Sequence, residues 1–402
     1  MAKIITDPKK IDELLTRGVE EVIVKDHLRE ALFSGKQLRV KLGIDPTSPA
    51  IHLGRAVVLR KLRAFQELGH LVIFIVGDFT GVIGDTSDKE SERPMLTEAE
   101  IEKNMKTYFS QAFKILDEKK TEVHYNSEWL SKLGFHEVAK LADLFGLHEF
   151  EARENVARRM KAGKRVSLRE VLYPLMQGYD SVAIKADVEI GGTDQKFNML
   201  SGRVIQPTYN LKPQDIITMQ LLEGTDGRKM SSSWGNVIKI TDEANEMFGK
   251  IMSVGDDFIR KYFLLATDLP QSEIEEVMEL SPRDAKLKLG EEIVALYHGK
   301  KAGNGAREEF IKVFSEKAKP DEIPTVKISE KELSLADLLV AAKLVKSKSE
   351  ARRLIEQGGV KVNDEKKTDP NELIQTHGAL IQVGPRRFVR VISVLFPLLL
   401  DK

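Results

Sequence analysis

The sequence predicts an α/β protein in three parts: a sheet of parallel strands, a bundle of helices, and a small α+β domain at the end. Three observations carry this. First, Val40, Leu42 and Ile44 alternate as a strand does, Asp45 and Pro46 break the run, and Val57, Leu59, Leu62, Phe65 and Leu68 recur at helical spacing. Second, the next apolar run, L-V-I-F-I-V over residues 71–76, is continuous, as in a strand buried on both faces. Strand, helix and strand within residues 40–76 make a parallel βαβ unit. Third, the pattern changes after residue 242 to helices of alternating charge, and again after residue 332 to a cationic helix and short strands.

The 402 residues leave room for roughly two or three domains. With 62 basic and 62 acidic residues the chain is neutral, which excludes a globally basic nucleic-acid coat but not a local basic face. There is no cysteine, hence no disulfide, thiolate nucleophile or thiolate metal site, as suits a reducing compartment. The first ten residues hold no apolar core of signal-peptide length. The apolar run at 391–400 is interrupted by Pro397 and too short to span a bilayer. A cytoplasmic protein without a membrane partner is expected.

In chain order, residues 8–35 read as helices, with Ile11, Leu14, Leu15, Val22, Val24, Leu28 and Leu32 on their apolar faces. The βαβ unit follows, then a glycine-rich loop at 77–87 and a polar loop to residue 95 whose cations are Lys89 and Arg93. Helix is expected from Thr97 to about 116, a short strand at 123–125 before Asn126, and helices to about 164. In that last stretch Arg153, Arg158, Arg159, Lys161, Lys164 and Arg165 read as a solvated basic face that RNA phosphates could touch. Helix is expected over 167–180, constrained or kinked by Pro174, and strand at 182–186 and 188–190. Helices fill 243–316. The domains expected are 1–242, with a helical insertion near 115–165, then 243–317, a linker at 318–332, and 333–402.

Chemistry-bearing residues collect where strands end. Ligands of parallel sheets bind beyond the carboxyl ends of the strands, and Asp45, Asp78 and Asp85 stand there. The loop before the helix at 54–68 carries Thr47 and His52, both able to donate to a phosphate, and a helix start attracts anions through its free N–H groups and dipole. Gly43 and Gly54 lack a Cβ, so a ligand can come close to the backbone. Residues 227–233, G-R-K-M-S-S-S, are flexible and cationic; Lys229 is a point charge suited to growing phosphate charge, and the hydroxyls of Ser231 and Ser232 can bond phosphate oxygens. Tyr173, Gln177 and Asp180 share one face of a helix and make a plausible pocket wall. Gly191, Gly192, Asp194 and Gln195 suit close contact with a ribose.

The loops at 52–55 and 229–233, in this order, resemble the paired ATP-binding signatures of class I aminoacyl-tRNA synthetases. Y-x-x-x-Q-x-x-D at 173–180 followed by G-G-T-D-Q at 191–195 is similar to the tyrosyl-tRNA synthetase family, bacterial type, and the resemblance runs the whole chain. It implies a Rossmann-like catalytic domain with ATP, accompanied by Mg2+, and tyrosine as substrates. Asp180 would accept the phenol hydroxyl; Tyr173, Gln177 and Asp85 would hold the α-ammonium, with Asn126 nearby. Gly43, Asp45 and Gly54 would face adenosine, and Asp194 its ribose. Gln195 would act near the carboxylate and α-phosphate. Thr47, His52, Lys89, Arg93, Lys229, Ser231 and Ser232 would surround the pyrophosphate. No residue cluster for a resident metal is implied. The sequence departs from the family at Arg55, where a second His is usual, at Ser232, where a second Lys is usual, and at Lys41. Many relatives place at the last a Tyr that makes a second phenol contact; Lys41 could pair with Asp180 or reach the phenol through water.

The helices after residue 242 would be the anticodon-contacting bundle. Residues 343–390 hold eleven Lys or Arg and six Asp or Glu. S-K-S-E-A-R-R-L-I-x-Q-G-x-V-x-V-N, from residue 347, resembles a small RNA-binding module, with Lys346, Lys348, Arg352 and Arg353 placed for phosphates. The resemblance implies a tyrosine–tRNA ligase acting on tRNA(Tyr) as a homodimer through the helices near 115–165. The rival readings are an RNA-binding or regulatory protein on an inactive synthetase scaffold, and a synthetase for tryptophan.

Overall fold

The computed structural model describes residues 3–85, 96–315, 323–384 and 387–393. Lys89, Arg93, most of the polar loop before residue 96, much of the linker and the end of the C-terminal apolar run lie outside them. The chain divides into two compact units, Met1–Gly303 and Asn304–Lys402.

The first unit is built on six strands: β1 (Val19–Ile23), β2 (Arg39–Ile44), β3 (Leu71–Val76), β4 (Thr121–Tyr125), β5 (Val188–Gly192) and β6 (Asp215–Met219). Their order is β1-β6-β5-β2-β3-β4. Pairings from β6 across to β4 are parallel, and β1 closes the edge antiparallel to β6. The chain runs outward from β2 through β3 to β4, then restarts at β5 on the other side of β2. That is a topological switch point, where open α/β sheets form a ligand crevice. Here the crevice has a direct cause. β2 and β5 pair only at Val40↔Val188 and Lys41↔Glu189, and beyond that rung they part.

Helix α1 (Leu53–Glu67) crosses from β2 to β3 and buries Leu53, Val57, Leu59, Leu62 and Phe65, the spacing read from the sequence. Its start points into the crevice. Helix α2 (Leu168–Ala183) forms the opposite wall. Ser167 caps α2 in a capping box with Glu170, and Pro174 lies within it.

Four expectations are corrected. Val19–Ile23 is a strand, not helix: Gly18 at φ +66 ends the first helix, and V-E-E-V-I pairs with β6. Residues 182 and 183 finish α2; Lys185 at φ +51 turns the chain, and the strand begins only at Val188. β6, which the sequence reading passed over, lies beside β5 with all five residues buried. Arg159 is not on a solvated face. It is 1% exposed and holds the Glu170 carboxylate with both terminal nitrogens, at 2.5 and 3.0 Å.

The second unit has a five-stranded sheet and a two-stranded one. Helices Leu335–Ala341 and Lys348–Glu356 bury Leu335, Leu338, Leu339, Ala351 and Ile355 against it. Ser347 caps the second helix by accepting from the Glu350 amide.

Candidate active site

The parting of β2 and β5 opens a cavity of about 540 Å³, lined by both strand ends, the start of α1, one face of α2 and residues 229–233. Of the residues picked from the sequence for ATP and tyrosine, Gly43, Asp45, Thr47, His52, Gly54, Arg55, Asp85, Asn126, Tyr173, Gln177, Asp180, Asp194, Gln195, Lys229, Ser231 and Ser232 all line it.

One end is acidic. Asp180 is 3% exposed; Oδ1 accepts from Trp129 Nε1 at 2.8 Å and Oδ2 from Asn126 Nδ2 at 3.4 Å. Burial pushes its carboxyl up to about 7, against the pull of the Lys41 ammonium and of the Trp129 and Asn126 donors. Asp45 accepts from the Tyr173 hydroxyl at 2.8 Å and the Thr80 hydroxyl at 2.7 Å. Burial, with Asp45, Asp85 and Asp180 around it, raises the Tyr173 phenol well above its ordinary value, so it stays protonated and donates. Asp85 accepts from Gln195 Nε2 at 2.7 Å. Gln177 gives its amide N–H to Glu189 at 3.1 Å, which turns its oxygen toward the role of acceptor. A cation suits this end.

The other end is cationic. Arg55, in the first turn of α1, donates to the Tyr108 hydroxyl at 2.6 Å and to Thr47 Oγ1 at 3.1 Å. Lys229 Nζ lies 2.9 Å from Asp194 Oδ2. His52 is buried, and burial together with Arg55 and Lys229 lowers its pKa to about 3. It is therefore neutral at any physiological pH, and its Nδ1 has no hydrogen-bond partner among the described residues. The two signature loops touch: the Gly54 amide meets Met230 Sδ at 3.3 Å, and Leu53 N donates to Ile238 O at 2.8 Å.

The placements revise one expectation. Lys41 does not line the cavity and does not pair with Asp180. Its Nζ lies 2.9 Å from Glu189 Oε1 and donates to Gln177 O and Ser181 Oγ, each at 2.8 Å. An ammonium has three N–H groups, so none remains for a substrate. Asn126 donates to Asp180 and to Thr80. Asp45 is bonded on the Tyr173 side of the crevice. Lys346, Lys348, Arg352 and Arg353 belong to the second unit and are exposed; Lys346 precedes the capped helix and the other three lie on it, with Lys348 paired to Asp337.

Sequence reasoning missed Trp129, Thr80, Glu189, Gly77 and Asn236. A Cβ on Gly77 would fall 2.1 Å from Asp45 Oδ1 and 2.3 Å from Thr80 Oγ1, so only glycine lets that pair form. Asn236 staples residues 226–231, donating to Asp226 Oδ1 at 2.7 Å and Lys229 O at 3.1 Å and accepting from Ser231 N at 2.9 Å. A lone Asn or Trp carries no periodic signal; a signal for Gly77 existed in the glycine-rich loop after β3.

Comparison with known proteins agrees. A family profile described as class I tRNA synthetases (W and Y) matches residues 34–315, and one described as the tyrosine–tRNA ligase SYY-like C-terminal domain matches 315–382. The tyrosine–tRNA ligase of Carboxydothermus hydrogenoformans is 48% identical over 96% of this chain and 99% of its own. That of Thermotoga maritima is 47% identical over 96% and 98%. The chain belongs to the tyrosine–tRNA ligase family. Among solved structures, a C-terminally truncated mitochondrial tyrosyl-tRNA synthetase from Aspergillus nidulans aligns at a TM-score of 0.64 and 24% identity, covering 76% of this chain and 94% of that one. The Archaeoglobus fulgidus tyrosyl-tRNA synthetase complexed with L-tyrosine aligns at 0.59 and 23%, covering 74% and 99%. At those identities the likeness is one of fold. Among tyrosine–tRNA ligases this chain carries Arg55 and Ser232 in its signature loops.

The raised Asp180 pKa has a consequence for stability. A carboxyl whose folded pKa lies above its unfolded value favours the fold below about pH 4 and loses that contribution as pH rises through about 7. Without substrate, Asp180→Asn should therefore gain a few kcal/mol relative to wild type between about pH 4 and pH 8.5. Chemical denaturation at both pH values measures this, and a difference that does not change with pH contradicts the buried charge.

Proposed function

We propose that this chain activates tyrosine with ATP and transfers it to the 3′ end of tRNA(Tyr). The observation that carries the reading is the polarity of the crevice: Asp45, Asp85 and Asp180 gather at one end, and Arg55 and Lys229 stand at the other, where both signature loops meet. An amino acid with a cationic ammonium suits the first end and a triphosphate the second.

Tyrosine lies with its phenol donating to Asp180 and its ammonium among Tyr173, Gln177 and Asp85. Its carboxylate attacks the α-phosphate, pyrophosphate leaves, and no covalent enzyme intermediate is needed. Gly43, Gly54 and Asp194 take the nucleoside, and Gln195 acts near the α-phosphate. Thr47, neutral His52, Arg55, Lys229, Ser231 and Ser232 take the leaving charge, joined by Lys89 and Arg93. Magnesium arrives with the triphosphate. Lys229 must leave Asp194 to do this, so its ion pair is a resting position that ribose binding at Asp194 would release. The inactive-scaffold and tryptophan readings are not favoured, since relatives matching nearly the whole chain are tyrosine–tRNA ligases.

Large apolar side chains stand exposed on the insertion and the start of α2: Phe135 at 90%, Leu147 at 61%, Met160 at 48% and Leu168 at 79%. Such a surface supports a homodimer through these helices. The helices after residue 242 would meet the anticodon arm, and the exposed cations of the second unit would position the RNA. No helix among the described residues is long and apolar enough to cross a membrane, and work in the cytoplasm fits the reading.

Tyrosine-dependent ATP–pyrophosphate exchange is the direct test, and inertness with tyrosine rejects the reading. In single-turnover adenylate formation, Lys229→Ala should slow the chemical step roughly 10²-fold or more, the scale of losing one preorganised donor, with little change in tyrosine affinity. An unchanged rate removes Lys229 from the transition state. A chain ending at Pro324 should still make tyrosyl-adenylate yet lose most tRNA charging and most of the salt dependence of tRNA binding. Full charging by that shorter chain overturns the RNA role of Lys346, Lys348, Arg352 and Arg353.

A further inference from the structure

Lys41 and Glu189 form the last rung of the β2–β5 ladder at the base of the cavity, where Glu189 is part of the lining and Lys41 lies behind it. Both are at most 1% exposed. The pair is fully satisfied. Lys41 spends its donors on Glu189, Gln177 O and Ser181 Oγ, and the Glu189 carboxylate also accepts from Gln177 Nε2, Ser181 Oγ and Gln214 Nε2. Two charges buried so deeply need such partners, because a lone one carries a large desolvation cost. Apolar residues of similar size would build a floor as stable or more so. A stability role alone therefore does not account for the charges.

We infer that the Lys41–Glu189 pair is the positioning device for tyrosine recognition in this chain, working on both ends of the amino acid through Gln177 and Asp180. Toward the ammonium, it holds Gln177 twice, at its backbone carbonyl and at its side-chain amide. Glu189 accepts only from the amide nitrogen, so Gln177 presents its oxygen to the substrate cation. Toward the phenol, Lys41 donates to Gln177 O, about one helical turn before Asp180, and to Ser181 Oγ, the residue after it. Lys41 draws the Asp180 proton off and Glu189 opposes it, so the pair sets the charge of the phenol acceptor. The other groups facing Asp180 are the Trp129 and Asn126 donors and the protonated Tyr173, with Asp45 and Asp85 beyond it. This is a different solution from a tyrosine at position 41 that bonds the phenol itself.

The inference rests on Asp180 as the phenol partner, and the experiment separates the two. kcat and KM for tyrosine, and for phenylalanine, are measured by pyrophosphate exchange across about pH 5.5–9 in wild type, Lys41→Met, Glu189→Gln, the double variant and Asp180→Asn. The ionised Asp180 is the phenol acceptor. Lys41→Met should move the acid limb for tyrosine up by about one unit or more, the scale of losing a nearby opposite charge. At neutral pH its KM should rise at least ~10-fold, with kcat changed less. Glu189→Gln should move the limb down. The double variant should lie between the two singles, and it keeps the test alive if Lys41→Met fails to fold, since a neutral pair is the tolerated replacement. Thermal unfolding of each variant reports a purely structural loss. Limbs that stay put or move the same way, or a loss in kcat alone, overturn the positioning role. Should Asp180→Asn keep the wild-type pH profile and amino-acid preference, the phenol assignment is what fails.

Discussion

The site depends on one break in one ladder. β2 and β5 are hydrogen-bonded neighbours at Val40 and Lys41, and from Leu42 onward they separate. That parting makes the crevice, brings Asp45 and Asp194 to its two lips, and leaves a rung at its base. A rung of two charges would be costly alone in an apolar interior. Here it is satisfied by α2 from one side and by Gln214 from the other, which ties the pocket helix to the sheet at the point where the sheet opens.

Charge is sorted along the crevice by the same geometry. The acidic end lies over α2, where burial raises Tyr173 and Asp180 and keeps the first a donor while holding the second near its titration point. The cationic end lies over the start of α1, where burial first, and then Arg55 and Lys229, suppress protonation of His52, and the two cations add to the positive end of the helix dipole. A neutral histidine can donate one hydrogen bond without adding charge. Arg55, bonded to Thr47 and Tyr108, supplies the fixed positive charge instead. On the proposed reading, discrimination of tyrosine from phenylalanine follows from the other end: a site that bonds a hydroxyl leaves its own polar group unpaired with the wrong substrate. In tyrosyl-tRNA synthetases that effect amounts to a factor of about 10⁵.

Much of this was legible in the sequence, for identifiable reasons. The βαβ unit announced itself because buried parallel strands are continuously apolar and α1 has one apolar face. The cavity residues were legible because they sit in motifs whose spacing is local: 47–55, 173–180, 191–195 and 229–233. What stayed hidden depends on partners far along the chain. β1 read as helix because its strand character is set by pairing with β6, about two hundred residues away. Arg159 read as a solvated cation because nothing local shows that Glu170 folds back on it. Lys41 was placed near the pocket, but its partner is a carboxylate on the next strand, and a register of two parallel strands is not written in either one. Trp129 and Asn236 act singly and leave no pattern.

The central claim is that a buried, half-titrated Asp180 becomes the acceptor for the tyrosine phenol. An O–H donor favours the ionised carboxylate, so binding must expel the proton that Asp180 carries in the free protein. The direct measurement is the number of protons released on tyrosine binding, by calorimetry in buffers of different ionisation enthalpy. The account predicts release of a fraction of a proton near pH 7, fading toward about pH 9 and absent in Asp180→Asn. Equal release by wild type and Asp180→Asn, or none by wild type near pH 7, would contradict it.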